Sequence, residues 1–140
     1  MFFSVRKGTD SEGREAAVLA CRAKQGDRDA KQVFKADGSP ATNKDGHTVW
    51  QIEYDYIEGL ITGMEEKVVA MKGQDRRFLN VSVKGKNTSM VLSLEFGDRY
   101  WVDFCNRLLG VDLTKPTYLR PWAIADKDTG KMNYVFMLKQ

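Results

Sequence analysis

The period of apolar residues in the second half of the chain constrains the fold more than any other feature. Apolar and polar residues alternate over 77–84 and again over 89–96, with a Gly-Lys-Asn turn between them. Alternation with a period of two is typical of strands that bury one face. Two further strands are predicted over 117–125 and 132–139, on either side of a turn rich in Asp and Gly.

A longer strand is predicted upstream of these. From Val49 to Val69, apolar residues first alternate with polar ones, and their phase switches near Ile57. Gly59 and Gly63 interrupt the same stretch. A phase change with glycines inside a strand indicates a bulge or a sharp bend.

One helix is predicted after the strand at 89–96. Asp98 can cap its N-terminus, because a carboxylate accepts hydrogen bonds from the first free amides of a helix. Trp101, Phe104 and Leu108 then recur at helical spacing, so that Trp101 and Phe104 are expected in the core. Gly110 is expected to end the helix in the left-handed conformation.

This order of elements is that of an OB-fold, a five-stranded β-barrel with a helix between its third and fourth strands. Other small barrels and an α+β sandwich share parts of the order, but a long first strand with glycine breaks favours the OB-fold. We therefore expect an OB-fold domain over 48–140. Residues 1–47, with short strands predicted at 2–7 and 16–23, are expected to form an N-terminal arm or hairpin extension packed on the barrel.

Composition limits the class of protein. The 140 residues suffice for one compact domain with an appendage. The chain lacks an apolar run long enough to cross a membrane and a secretory signal pattern, so a cytoplasmic protein is expected. The 22 Lys and Arg against 19 Asp and Glu give a net charge of +3, which permits nucleic-acid binding without demonstrating it.

Catalysis and bound cofactors are not expected. Cys21, Cys105 and the single His47 lack the spacing of a zinc site, and both cysteines are predicted to be reduced, packed thiols. The sequence has no phosphate-binding Gly-x-x-x-x-Gly-Lys loop, and one histidine leaves little room for a Ser-His-Asp triad. The acidic pair Asp126 and Asp128 lies in a turn, where Asp is favoured for backbone reasons.

The predicted turns and strands carry residues suited to a single nucleic-acid strand, which needs cations along its backbone and flat rings for its bases. The cations are placed at three hairpin turns: Lys72, Arg76 and Arg77 at the first, Lys84 and Lys86 at the second, Lys127 and Lys131 at the third. Phe78 is expected to face outward, opposite Leu79 and Val81, as a stacking ring. The further candidates are Arg120, Trp122 and Tyr134.

Plainer explanations exist for these residues. Turns are exposed and attract Lys and Arg in any protein, and an outward Phe78 can be covered by the N-terminal arm. About half of the aromatic residues in the predicted strands must belong to the core. The basic residues of the N-terminal region either form an arm that orders on a bound strand or lie in a solvated loop; they are Arg22, Lys24, Arg28, Lys31 and Lys35.

Four segments resemble small phage-encoded single-stranded DNA-binding proteins of OB type. They are Ile57–Gly63, Leu92–Leu94, Asp103–Leu108 and Val111–Pro116, within a region of resemblance from about 48 to 140. The resemblance implies binding of single-stranded DNA without sequence preference, in phage replication or recombination, in the cytoplasm of the host cell. The acidic C-terminal tail with which bacterial members recruit partners has no counterpart in Met137–Gln140, so recruitment by a tail is not expected.

The sequence thus predicts a single-stranded DNA-binding protein that is not an enzyme, with replication or recombination proteins as possible partners and the oligomeric state open. The alternative is an OB-like protein-interaction or virion-structural module that does not bind nucleic acid. In that case the same aromatic face would contact a partner protein, or the edge strands would pair with another subunit.

Overall fold

The computed structural model describes residues 1–9 and 12–140. These residues form nine strands and one helix: β1 (Phe2–Thr9), β2 (Glu15–Ala23), β3 (Lys31–Gln32), β4 (Trp50–Tyr54), β5 (Ile57–Met71), β6 (Gln74–Lys84), β7 (Ser89–Glu95), α1 (Arg99–Leu108), β8 (Thr117–Ala125) and β9 (Met132–Lys139). The prediction of a mainly β chain with one helix is confirmed. β8 and β9 have the bounds predicted from the sequence, 117–125 and 132–139.

All nine strands belong to one sheet, in the order β3-β4-β2-β1-β7-β6-β5-β8-β9. Within the described residues no ladder joins β3 to β9, so the sheet is open, and the five-stranded OB-fold barrel expected from the sequence is not confirmed. A barrel made of the last five strands would close by pairing β7 with β9. Instead the free side of β7 pairs with β1, in parallel, through Phe2↔Val91 and Ser4↔Ser93.

The N-terminal residues therefore continue the main sheet. β1 and β2 pair antiparallel from Phe3↔Cys21 to Thr9↔Glu15, and β2 pairs in turn with β4. Residues 1–47 thus contribute three strands to the same sheet as the later ones. The boundary at 47/48 stays a prediction.

The long strand predicted from Val49 is divided in two. β4 ends at Tyr54 and β5 begins at Ile57, because the chain stops pairing with β2 and starts pairing with β8 and β6. That change of partner explains the phase switch near Ile57. The predicted bulge is present, since the β5–β6 register shifts between Ile61 and Gly63. At Gly59 the β6 backbone comes so close that a Cβ would lie 2.5 Å from the Lys84 carbonyl oxygen.

The core lies on one face of the curved sheet, with α1 packed against β9. Phe104 of the helix is fully buried and meets Phe136 edge to face, with ring centroids 5.7 Å apart. Asp98 caps the helix as predicted and accepts a hydrogen bond from the Tyr100 N–H at 2.7 Å. The prediction for Gly110 is wrong: the helix ends through Leu109, which keeps a right-handed φ of −61°.

The helix also protects the outer edge of β9. The Asp103 carboxylate accepts hydrogen bonds from the Phe136 N–H at 2.7 Å and from Arg107 Nε at 2.8 Å. An edge strand with free N–H groups is a template for pairing with another chain. Asp103 occupies one such donor and so reduces the capacity of this edge to recruit a second strand.

Candidate nucleic-acid interface

β6 carries the residue from which the site is built. Val81 and Val83 are buried in the core, and Leu79 packs against it. Phe78 and Asn80 face the other side of the sheet, and Phe78 is half-buried. The predicted direction of Phe78, away from the core, is confirmed.

Phe78 lies in a groove of about 520 Å³ that runs from β5 across β6 and β7 to β1. We call it the β6 groove, and its main lining side chains are Phe2, Ser4, Arg6, Lys67, Met71, Arg76, Phe78, Asn80, Glu95 and Tyr100. Asn80 Oδ1 has no hydrogen-bond partner among the described residues. The groove therefore combines aromatic rings, cations and carboxylates, and the Asn80 Oδ1 atom is itself buried.

Strand register sets the layout of the groove. Phe78 pairs with Lys67 on β5 and with Glu95 on β7, so these three residues form one row across the sheet. Asn80 pairs with Ser93, which pairs with Ser4 of β1, and these residues form the adjacent row. Side chains of one row share a face, because all strands of a sheet keep the same pleat. The register thus fixes a cation on β5 beside the phenylalanine on β6.

Not all charges of the groove are free. The Arg76 guanidinium forms two contacts with the Glu95 carboxylate, Nε to Oε1 at 2.9 Å and a second from its terminal nitrogen to Oε2. This pairing holds the pKa of Glu95 below its usual value and raises the pKa of Arg76. Asp98 is engaged at the helix cap. Arg6 and Lys67 have no ion pair within residues 1–9 and 12–140.

Arg77 lies outside the groove. The sequence placed Arg76 and Arg77 at the turn, but both belong to β6, and adjacent residues of a strand point to opposite faces. Arg77 Nε donates to Glu66 at 2.6 Å, and its guanidinium lies 4.7 Å from the centre of the Phe96 ring. The turn itself consists of Lys72 and Gly73, both with positive φ (51° and 77°).

The predicted turn lysines are spread over the molecule. Lys72 and Lys84 lie at opposite ends of β6, roughly 35 Å apart at the usual rise per residue. Lys86 lies beyond Lys84, in the turn before β7. Lys127 and Lys131 are exposed at the β8–β9 turn. None of these five lysines lines the β6 groove.

The aromatic candidates of the last hairpin face two different ways. On the outer face of β8, the Arg120 guanidinium lies 3.7 Å from the centre of the Trp122 ring. Tyr134 of β9 contacts Tyr100 edge to face at 5.5 Å. Tyr134 lines a smaller hollow that shares Arg6 and Tyr100 with the β6 groove. The structure therefore brings Phe78, Arg76 and Tyr134 to neighbouring hollows and leaves Arg120 and Trp122 apart.

A second hollow, which the sequence did not single out, adjoins the groove across β1. We call it the β1–β3 hollow; its volume is about 640 Å³ and its main lining residues are Phe2, Ser4, Arg6, Lys7, Arg22, Gln32, Phe34 and Gln51. None of the described residues that line it is acidic. The sequence feature that points to this hollow is the adjacent pair Phe2 and Phe3. Neighbouring residues of a strand face opposite sides of the sheet, so Phe2 faces outward because Phe3 is buried.

A metal site or a membrane-spanning helix would have its own signature within residues 1–9 and 12–140. No group of three or more His, Cys, Asp or Glu there could hold a metal ion. Both cysteines are free thiols, Cys21 buried and Cys105 half-buried, and burial raises the pKa of Cys105. No helix in the described part of the chain is long and apolar enough to cross a membrane.

Comparison with protein-family models, curated proteins and solved structures gives no match to this chain. Its function has to be inferred from the residues of the two hollows and from the order of the strands.

Proposed function

We propose that this protein binds single-stranded DNA without sequence preference, with the strand lying in the β6 groove. The observation that carries the proposal is the half-buried Phe78 ring on the sheet face, in a groove that also holds Lys67 and Arg6, two cations without an ion pair among the described residues. Stacking of bases on rings and neutralisation of phosphates are the two interactions that such binding needs. The resemblance to phage-encoded proteins suggests a role in replication or recombination, in the host cytoplasm.

The strand order supports the proposal. Taken alone, β7-β6-β5-β8-β9 with α1 between β7 and β8 has the elements of an OB-fold, with β5 as the first of five strands. OB-folds bind oligonucleotides on the face of their second and third strands, which correspond here to β6 and β7. The β6 groove lies on the outer face of these two strands. We propose an OB-type topology, opened and extended by β1 and β2.

The ionic state of the groove supports an anionic ligand. Its lining holds three cations, Arg6, Lys67 and Arg76, and the two carboxylates Glu95 and Asp98 already have partners. A phosphate entering the groove can contact Arg6 and Lys67 without breaking an existing ion pair. Arg76 becomes available only if the phosphate replaces Glu95.

Fluorescently labelled oligo-dT, titrated against a duplex of equal length at two salt concentrations, tests the proposal. We expect the single strand to bind more tightly than the duplex, with log K falling against log salt by about 0.7 for each phosphate neutralised. Absence of single-strand binding at low salt, or equal affinity for the duplex, would overturn the proposal.

Substitution of Phe78 tests whether bases stack in the β6 groove. Phe78→Ala should weaken oligo-dT binding by about 5- to 150-fold, because a stacked base contributes roughly 1–3 kcal/mol. Phe78→Trp, which keeps a flat ring, should retain most of the affinity. Tyr56→Ala is the matched control: Tyr56 is an exposed ring that lines neither hollow, and its removal should leave the affinity unchanged. Parent-like binding by Phe78→Ala would exclude the β6 groove as the stacking site.

The alternative, a protein-interaction or virion-structural module, is favoured by one observation. Arg76 and Arg77, two of the predicted phosphate ligands, are held by Glu95 and Glu66. If oligo-dT does not bind, the exposed Phe2 and Phe34 become the candidate contacts with a protein partner.

A further inference from the structure

We propose that the β1–β3 hollow is the second half of the DNA path, so that a strand leaving the β6 groove crosses β1 at Arg6 and stacks on Phe2 and Phe34. This inference rests on the proposed function and extends it to a part of the chain that sequence reasoning treated as an arm or a solvated loop. It predicts a longer footprint than the β6 groove alone provides.

The two hollows are continuous. Phe2, Ser4 and Arg6, the outward residues of β1, line both of them. On the far side of β1, the ladder from Phe3↔Cys21 places Arg22 beside Phe2, and Arg22 pairs with Gln51 of β4. Gln51 pairs with Lys31 of β3. One surface therefore runs from Lys67 and Phe78 on one side of β1 to Arg22 and Gln51 on the other.

Charge favours a nucleic-acid strand as the occupant. Arg6 and Arg22 have no ion pair within the described residues, and Lys7 is held only loosely by Glu15 at 3.8 Å. The described lining of the β6 groove includes two carboxylates, whereas the described lining of the β1–β3 hollow includes none. A phosphate can therefore contact the cations of the hollow without meeting a carboxylate in its described lining.

Its rings are open. Phe2 and Phe34 are 54% and 57% exposed, and neither has an aromatic or cationic partner among the described residues. Two phenylalanines left in water beside unpaired arginines are the arrangement that base stacking requires. The Gln32 amide lies in the same hollow and can bond base edges or phosphates, whereas the Gln51 amide donates to Glu53 at 3.4 Å.

Phe34 is held in place before any ligand binds. The Val33 N–H donates to the Val49 carbonyl at 2.8 Å, and the Ala41 N–H donates to the Val33 carbonyl at 2.9 Å. Phe34 itself forms a β-bridge with Pro40. The segment is thus a small fixed hairpin, and a ligand would not have to meet the entropic cost of ordering it.

The dimensions suit a strand of several nucleotides. Phe78 on β6 is two strands from β1, and β1 is three strands from β3, next to Phe34. At the usual strand spacing these five steps amount to about 24 Å along the sheet. OB-type proteins cover about 4–16 nucleotides, so a short oligonucleotide fills one hollow and a longer one reaches both.

The test compares oligo-dT of about 4 and about 12 nucleotides on the parent and on variants. Phe34→Ala should bind the short oligonucleotide like the parent and should bind the long one about fivefold or more weakly than the parent. Arg22→Gln should likewise affect only the long one and reduce its salt slope by about 0.7. Phe78→Ala should weaken both. Lys44→Gln, on an exposed loop away from both hollows, is the charge control, and Tyr56→Ala is the ring control.

The outcomes separate the two proposals. If the parent binds neither oligonucleotide, the proposed function fails, and the extended path fails with it. If the parent binds both but Phe34→Ala and Arg22→Gln match it on the long one, the extended path alone is overturned. The extended path is also overturned if the two variants lose affinity equally for the short and the long oligonucleotide. Phe34 and Arg22 are exposed, so both variants should keep the thermal transition of the parent, which circular dichroism checks.

Discussion

Two surfaces of this protein have the same side-chain chemistry and differ in whether their ring faces are open. On the β8 side, Tyr56 stacks on Tyr118 with ring centroids 4.6 Å apart, and Arg120 covers the Trp122 ring at 3.7 Å. On the β6–β1 side, the half-buried Phe78 ring has one cation near its face among the described residues, Arg76 at 5.6 Å, and the exposed Phe2 ring has no described ring or cation partner. Aromatic and basic content alone therefore does not distinguish a binding face from a self-packed one.

The difference has an energetic consequence for a bound base. To stack on Trp122, a base must displace Arg120, and a cation over a tryptophan face contributes about 0.5–2 kcal/mol. To stack on Phe2, a base displaces only water. We therefore expect Arg120 and Trp122, which the sequence placed among the DNA ligands, to stabilise the fold.

The largest expected effect is on stability at the β8 side. Trp122→Ala removes a half-buried ring together with its contact to Arg120, and should lower the free energy of unfolding by about 2–3 kcal/mol. Urea denaturation measures this loss. The folded fraction should bind oligo-dT within about twofold of the parent, since Trp122 lies outside both hollows.

Ile124→Ala, two residues further along β8 and 51% exposed, is the matched control and should change stability far less. A Trp122→Ala protein of parent-like stability that binds DNA about tenfold more weakly would reverse the comparison and move the site to β8.

Local patterns predicted most of the strands. The Asp- and Gly-containing turn between 125 and 132 marks the end of β8 and the start of β9, and Asp98 caps α1 as its position before the apolar helix face indicated. The face of Phe78 followed from the buried Val81 and Val83 alone. Each of these features depends on residues within a few positions of one another, and such signals are present in a single sequence.

What the sequence did not reveal depends on contacts between distant residues. Nothing near Phe2 in sequence indicates that β1 pairs in parallel with β7, some 90 residues away, and this pairing extends the β6 groove to β1, where it meets the β1–β3 hollow. The ion pair of Arg76 with Glu95 depends on the β6–β7 register, so a sequence counts Arg76 as a free cation. Phe34 was overlooked because its neighbours show no strand period.

The second prediction uses two similar ion pairs on opposite faces of β6. Glu95→Gln frees Arg76 in the β6 groove and removes a negative charge, so affinity for oligo-dT should rise about 5- to 10-fold, with a salt slope steeper by about 0.7. Glu66→Gln frees Arg77 on the other face and should leave affinity unchanged. Fluorescence titration at two salt concentrations measures both.

Equal gains from the two variants would show that the general charge of the protein matters and the groove does not. A loss of affinity in Glu95→Gln would show that Glu95 orients Arg76 for binding.

The smallest expected effect concerns acid stability at the same ion pair. The hydrogen bond from Arg76 holds the pKa of Glu95 below its usual 4.5, so the folded state binds this proton less readily than the unfolded state. The pair therefore stabilises the fold above that pH, and its contribution is lost as the pH falls through the folded-state pKa. Because the two side chains remain 41% and 36% exposed, solvent screens the pair, and the loss should be under about 1 kcal/mol.

Urea denaturation of the parent and of Glu95→Gln, at about pH 6.5 and about pH 3, measures this loss of stability. The carboxylates of Glu66, Asp37, Asp112 and Asp126 also have lowered pKa values and titrate in both proteins, so only the difference between parent and variant reports Glu95. The parent should lose slightly more stability on acidification than Glu95→Gln. If both lose the same amount, the ion pair does not persist in solution, and Arg76 is then a third free cation in the groove beside Arg6 and Lys67.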